Sequence, residues 1–238
     1  MATVGLVGGL GPESTIDYYR RIIQVWQRHD SATFPSLVID SLDVQRGLAL
    51  VASDRKGLAD YLFASVRRLS GAGVDFIAMT ANTPHIVFDD LAARSPVPMV
   101  SIVEVCADEA TRRGFARLGL LGTRFTMEAA FYPSVFARHG IEIVAPGEAE
   151  RSAVHDRYVG ELLKGDFRDQ TRQWMIELIA RLRDREHLDG IILAGTELPL
   201  LLREETTAGL PTLDTTALHV EAIVDRLRSL STATAIRP

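Results

Sequence analysis

The stretch Asp75-Phe76-Ile77-Ala78-Met79-Thr80-Ala81-Asn82-Thr83 returns 114 positions later as Asp189-Gly190-Ile191-Ile192-Leu193-Ala194-Gly195-Thr196-Glu197. The same offset relates Gly5-Leu6-Val7-Gly8 to Gly119-Leu120-Leu121-Gly122, and an offset of 113 relates Pro98-Met99-Val100-Ser101 to Pro211-Thr212-Leu213-Asp214. Three matches in one order at nearly one spacing imply an internal duplication, and a period this long makes two lobes, not a solenoid of short repeats. Each matched run is short and apolar and ends in small or polar residues, as a parallel strand buried on both faces does.

Amphipathic stretches separate these runs. Ser14 to His29 has helical spacing, with Ser14 as a candidate cap and Asp17 three residues on. Ile16, Tyr19, Ile23 and Trp26 then share the face expected to be buried. Arg55 to Ser70, Glu104 to Arg113 and Asp169 to Arg185 read as further helices, and Leu37-Val38-Ile39 as another strand. Strands alternating with helices give an α/β fold: two similar doubly wound parallel-sheet lobes. The expected lobes are 1–113 and 114–238, with the C-terminal segment a candidate to cross back to the first.

Of the 238 residues 47% are hydrophobic, enough for a sizeable core in each lobe. The net charge of −5 gives no basic face for nucleic acid or an anionic membrane. No run reaches the ~18 apolar residues of a membrane span. The start, MATVGLVGGLGPES, reads as a first strand and not a signal peptide, so the cytoplasm is the expected compartment. Cys106 is the single cysteine, which excludes an intrachain disulfide, and six scattered histidines without HxH or HxxxH spacing suggest no metal centre.

Ligands of open parallel sheets bind beyond the carboxyl ends of the strands, so the residues there are the candidates. The first strand runs into Gly8-Gly9-Leu10-Gly11-Pro12-Glu13-Ser14, which serves either as a tight turn or as a loop whose backbone, at Gly9 above all, approaches an anion. The second marked strand runs into Thr80-Ala81-Asn82-Thr83-Pro84-His85, and its repeat into Gly195-Thr196-Glu197-Leu198-Pro199. Asn82, Thr83 and Thr196 can hold a substrate carboxylate or amino group, cap the next helix, or do both. Thr123 and Thr126, in Gly122-Thr123-Arg124-Phe125-Thr126-Met127, form a third such end.

These segments, with His155-Asp156 and Leu162-Leu163-Lys164-Gly165-Asp166-Phe167, together resemble the aspartate/glutamate racemase superfamily, most of all its aspartate racemase branch. The resemblance spans nearly the whole chain. It implies two similar lobes related by a pseudo-twofold and facing each other across a cleft. It also implies isomerase chemistry without pyridoxal phosphate, metal or any other cofactor, on a small carboxylate or amino-acid-like substrate. A thiol on each face of the substrate removes or returns the α-proton, and a lysine such as Lys164 supplies a countercharge. In this sequence the residue before the Asn-Thr pair is Ala81 and the residue before Thr-Glu-Leu-Pro is Gly195. The resemblance therefore identifies a divergent member lacking both catalytic cysteines. Cys106, lying five residues past Ser101 in an expected helix, reads as a small buried hydrophobe.

Three functions follow as expectations. The first is a racemase-type isomerase with substitute proton carriers, for which Thr80, His85, Glu197 and His155 are the candidates. The second is a lyase, decarboxylase or cyclase working through a carbanion or enolate on the same fold. The third is a non-catalytic binder of a carboxylate metabolite. The expected partner is a small carboxylate or amino-acid-like substrate, with neither nucleic acid nor membrane, and a homodimer is one open assembly.

Overall fold

A computed structural model describes residues 1–235. The described chain forms two compact units, one of Met1–Ile102 with the segment from Thr216 onward, the other of Val103–Thr215. The first contains β1 (Thr3–Gly8), α1 (Pro12–His29), β2 (Ser36–Ser41), α2 (Val44–Ser53), α3 (Arg55–Gly71), β3 (Phe76–Met79), α4 (Phe88–Arg94) and β4 (Met99–Val100). Next come α5 (Ile102–Arg112), β5 (Arg117–Gly122), α6 (Arg124–Glu128), α7 (Phe131–Ala137), β6 (Glu142–Val144), α8 (Glu148–Gly160), α9 (Asp169–Glu186) and β7 (Gly190–Ala194). The chain closes with α10 (Leu198–Leu201), β8 (Thr206–Thr207), β9 (Leu210–Asp214) and α11 (Thr215–Ala235).

The strand order is β2-β1-β3-β4 in the first sheet and β6-β5-β7-β9-β8 in the second. All pairings are parallel except β8 with β9, an antiparallel edge with no counterpart in the first sheet. The repeated sequence runs are thus the repeated strands: β1 matches β5, β3 matches β7, and β4 matches β9. In each sheet the connection leaves the first strand in one direction and later returns to its other side. The two central strands, β1 and β3 or β5 and β7, therefore flank a switch point, where the loops diverge and leave room at the carboxyl ends. Residues of β3 and β7 are buried throughout, as the apolar runs require. β2, on the edge, is only partly covered.

Helix α1 differs from the sequence expectation in start and in face. Proline, lacking an N–H, fits the first helical position, so the helix begins at Pro12 and Gly11 is its N-cap. Ser14 lies inside the first turn, where its hydroxyl donates to the Thr80 carbonyl at 2.6 Å. The buried face is Ser14, Thr15, Tyr18, Ile22, Val25 and Trp26. Ile16 and Tyr19 are 44% and 46% exposed, so the apolar stripe that starts at Ile16 is not the core stripe. Two hydroxyl residues on the inner face concealed it: they are buried because strand-end backbone satisfies them. The other expected helices form as α3, α5 and α9. α2 and α3 are capped by Asp43 and Asp54, whose carboxylates accept from the backbone N–H groups of Gln45 and Gly57, each at 2.8 Å.

The first unit's core joins Val4, Leu6, Phe76 and Ala78 of the strands to Tyr18, Ile22, Val25 and Trp26 of α1, and to Val220, Ile223, Val224 and Leu227 of α11. The last helix thus belongs to the first sheet. The second unit has its own core, built from β5, β7, α8 and α9 around Leu121, Tyr158, Met175, Leu178, Ile191 and Leu193. Among the described residues no helix is long and apolar enough to cross a membrane. Ile223→Ala should cost about 2–5 kcal/mol, because it empties a fully buried site. Ile16→Ala should change stability by no more than about 0.5 kcal/mol. Urea unfolding of the two variants measures the contrast.

Candidate functional site

At the first switch point, hydroxyl groups tie the loop after β1 to the end of β3. The Gly9 N–H donates to Thr15 Oγ1 at 2.8 Å, and that oxygen lies 3.1 Å from both the Gly11 carbonyl and Thr80 Oγ1. Thr80 Oγ1 also reaches the Val7 carbonyl at 3.3 Å. Gly9 has φ 78°, in the left-handed region, and a Cβ there would collide with the Leu42 backbone. The structure thus places Gly9 and Thr80, both candidates from sequence, in one buried knot. Its hydrogen bonds hold the loop's shape and engage the Gly9 N–H and the Thr80 hydroxyl internally. Ala81 and Asn82 are buried beside it, and Thr83, half-buried, opens a 3-10 turn over Thr83–Val87.

His85 is buried, with both ring nitrogens held by backbone. Nδ1 lies 3.0 Å from the Ala81 carbonyl, an acceptor only, so this nitrogen carries the proton. Nε2 then accepts from the Ile102 N–H at 3.3 Å. His219 of α11 completes the arrangement: its Nε2 donates to the Val100 carbonyl at 3.1 Å and its Nδ1 accepts from the Tyr18 hydroxyl at 2.9 Å. Two neutral imidazoles thus satisfy the backbone around the two-residue strand β4. Burial lowers both from the usual 6.5, His85 to about 3, with His219 as the next cause, and His219 to about 4.

At the second switch point Thr123 caps α6, its Oγ1 accepting from the Thr126 N–H at 3.3 Å and lying 3.2 Å from Thr126 Oγ1. His155 of α8 serves the same helix end, Nδ1 accepting from the Arg124 N–H at 3.3 Å. Burial, then the Arg124 charge, lowers its pKa. Gly195 follows β7 directly, and the place where its Cβ would stand is already filled: Tyr158 Cε2 and Oη would lie 2.5 and 2.8 Å away. The Tyr158 hydroxyl donates to Glu197 Oε2, and Thr196 Oγ1 donates to the same oxygen at 3.0 Å. Tyr158, Thr196 and Glu197 are all buried. Burial first, and then the Glu197 charge, push the Tyr158 phenol well above its ordinary value.

A family model described as Asp/Glu/Hydantoin racemase matches residues 7–223. The chain belongs to this family. It is 24% identical over 225 residues to the broad specificity amino-acid racemase RacX of Bacillus subtilis, covering 93% of this chain and 96% of that one. The crystal structure of an aspartate racemase homologue from Pyrococcus horikoshii superposes with a TM-score of 0.81 at 32% identity, over 96% of this chain and 100% of that one. The aspartate racemase of Picrophilus torridus shares the fold, with a TM-score of 0.75 at 20% identity over 96% and 95% of the two chains.

Within this racemase-family chain, Asn82, Thr83 and Ala81 gather at one switch point and Thr123, Thr126, Gly195, Thr196 and Glu197 at the other. Lys164 lies exposed in the short turn Leu162–Lys164 after α8. Cys106 is fully buried in α5, where burial pushes its thiol up, as suits a core residue. An open depression lined by Arg157, Glu161, Arg168 and Trp174 includes no residue of either strand end. Among the described residues no group of three or more His, Cys, Asp and Glu side chains could hold a metal ion. Sequence reasoning missed Thr15, His219 and Tyr158. Each has a partner distant in sequence, Thr80 for Thr15, Tyr18 for His219 and Glu197 for Tyr158, and no local pattern encodes those pairings.

The two buried imidazoles make stability depend on pH. Each takes up a proton below about 6.5 when unfolded but stays neutral in the folded chain until pH falls toward its lowered value. Their contribution is therefore complete above pH 6.5 and is lost as pH falls, by up to about 1.4 kcal/mol per pH unit for each ring. Urea midpoints between pH 7.5 and 5, above the usual carboxylate range, should fall accordingly, and less steeply in His85→Gln. A flat profile would contradict the neutral assignment.

Proposed function

We propose that this chain acts without a cofactor on a small carboxylate or amino-acid-like substrate, through a carbanion or enolate, and not by a two-cysteine route. One observation carries the reading. At the equivalent ends of β3 and β7 stand Ala81 and Gly195, which have no group able to move a proton, while hydroxyls, an amide and a carboxylate remain packed around them. Family membership supports isomerase-type chemistry at carbon. The surviving polar groups, Asn82, Thr83, Thr123, Thr126 and Thr196, suit a substrate's carboxylate and amino groups. Lys164 is proposed as a countercharge to a second carboxylate, reached by its long flexible stem.

A lyase, decarboxylase or cyclase reaction is the second reading, and the unequal strand ends favour it. Glu197 with Tyr158 can handle a proton at one end, whereas Ala81 has no neighbour of that kind: His85 is held by backbone on both sides and Thr80 sits in the loop knot. Inversion of a stereocentre needs an acid and a base on opposite faces, and one-sided proton transfer does not.

Inversion of L- and D-aspartate and glutamate should accordingly be absent or slow, since each missing acid–base group typically contributes ~10²–10⁴-fold. Any exchange of the α-hydrogen should proceed without inversion and survive treatment with iodoacetamide. Incubation in D₂O with proton NMR and chiral chromatography measures both. Rapid racemisation abolished by alkylation would place the chemistry on Cys106 and defeat the reading. Ligand-induced thermal stabilisation without exchange or turnover of any amino or hydroxy acid would leave a binding protein.

A further inference from the structure

The titratable pair at the end of β7 is built differently from a side chain carried on the strand. Gly195 contributes nothing beyond its backbone, and the volume beside it is taken by a residue of α8, 37 positions earlier in the chain. Tyr158 Cε2, Oη and Cζ would lie 2.5, 2.8 and 2.9 Å from a Cβ at position 195. A Cβ has no room there while the ring keeps this place, so this placement of Tyr158 depends on an unsubstituted residue 195. The tyrosine is not a passive filler. Its hydroxyl donates to Glu197 Oε2, and the Glu197 N–H lies 3.5 Å from the same phenolic oxygen. Thr196 Oγ1 donates to Glu197 Oε2 from the other side at 3.0 Å. The carboxylate is thereby oriented with one oxygen toward the phenol.

We propose that Tyr158 relays protons between Glu197 and a substrate carbon at the end of β7, working from α8 in the space that Gly195 leaves open. This rests on the reading above that the chain forms a carbanion or enolate. In the forward step the C–H bond of the substrate breaks and its proton bonds to Tyr158 Oη. The phenol's own proton passes to Glu197 Oε2, and the electron pair of the C–H bond stays on carbon. The carboxylate becomes a neutral acid, the substrate becomes an anion, and the tyrosine begins and ends neutral. The reverse sequence returns a proton to carbon. A phenolate never accumulates, which matters because burial beside a carboxylate disfavours one. Exchange of the Glu197 proton with solvent between the two steps would label the substrate carbon with deuterium on one face.

The test uses the whole protein and a panel of L- and D-amino acids and 2-hydroxy acids in D₂O, with deuterium incorporation at the α-carbon followed by NMR. For the panel member labelled fastest by the wild type, Tyr158→Phe should slow incorporation at least about 10²-fold. It keeps the ring beside Gly195 but takes a donor from Glu197, so its melting temperature should fall by no more than about 10 °C while its far-UV circular dichroism stays that of the wild type. Glu197→Gln should slow incorporation comparably. The steric half is read by melting temperature alone. Gly195→Ala should lower it by about 3–10 °C in the wild-type background and by much less in Tyr158→Leu. Undiminished labelling by Tyr158→Phe in a wild type that does label would overturn the relay and leave the carbanion reading intact. A wild type that labels no panel member would overturn the relay, and one that in addition turns over no panel member and no malonate would overturn the carbanion reading as well. Equal effects of Gly195→Ala in the two backgrounds would show that the ring does not hold that space, and would overturn the inference on geometry.

Discussion

β1, β3, β5 and β7 are hydrogen-bonded to strands on both edges and buried on both faces, and this double enclosure governs what the rest of each unit can be. A strand in that position cannot carry a polar side chain along its length without leaving it unsatisfied. Polar side chains are therefore displaced to the carboxyl ends, where the chain turns away from its neighbours. The ends in turn cannot be left bare, because their carbonyl and N–H groups are still buried. Ser14 on the Thr80 carbonyl, Thr15 on the Gly9 N–H and Thr215 on the Leu193 carbonyl are the answers. Much of the hydroxyl content at these ends is committed to backbone before any ligand arrives.

That commitment separates candidates that the sequence alone could not. A threonine or histidine just past a strand reads equally well as a substrate contact or as a backbone cap. Thr80 and His85 resolve toward backbone, since their polar atoms meet groups of the protein itself. Thr123 caps α6 while its hydroxyl lies beside that of Thr126, so it too is engaged within its own unit. The strands and their duplication were legible because burial on two faces forces a run of apolar residues, and such runs are visible in any parallel sheet. The buried face of α1 was not legible. Its inner stripe begins with Ser14 and Thr15, two polar residues, while Ile16 and Tyr19 supply a regular apolar stripe that the fold leaves partly in water. Hydropathy ranks the wrong stripe first whenever core positions are satisfied by hydrogen bonds. The antiparallel β8–β9 edge escaped for another reason: β8 has only two residues, too few to show a period.

Tyr158 shows the limit of reading along the chain. Its neighbours in sequence, Arg157 and Val159, say nothing about β7. The aromatic ring and the glycine it covers are complementary in volume, and volume complementarity is a property of the packed unit. Gly195 alone says nothing of what fills the space beside it. Tyr158 fills that space with a ring and a hydroxyl brought from α8.

The two units also differ in how their strand ends are charged. In the first, the buried titratable groups near β4 are imidazoles kept neutral by burial, each with one nitrogen donating and one accepting. Such rings satisfy backbone without bringing net charge into the core, which is why they can lie with ring centres 6.4 Å apart. In the second, a carboxyl group is buried with the hydroxyls of Tyr158 and Thr196 donating to one of its oxygens. A neutral, internally satisfied end holds its shape but has no proton to spare. An end with a buried carboxylate and a protonated phenol in contact has both an acceptor and a donor on one hydrogen bond. The duplicated strands thus end in different chemistry, neutral imidazoles bound to backbone in one unit and a carboxyl group bound by two hydroxyls in the other.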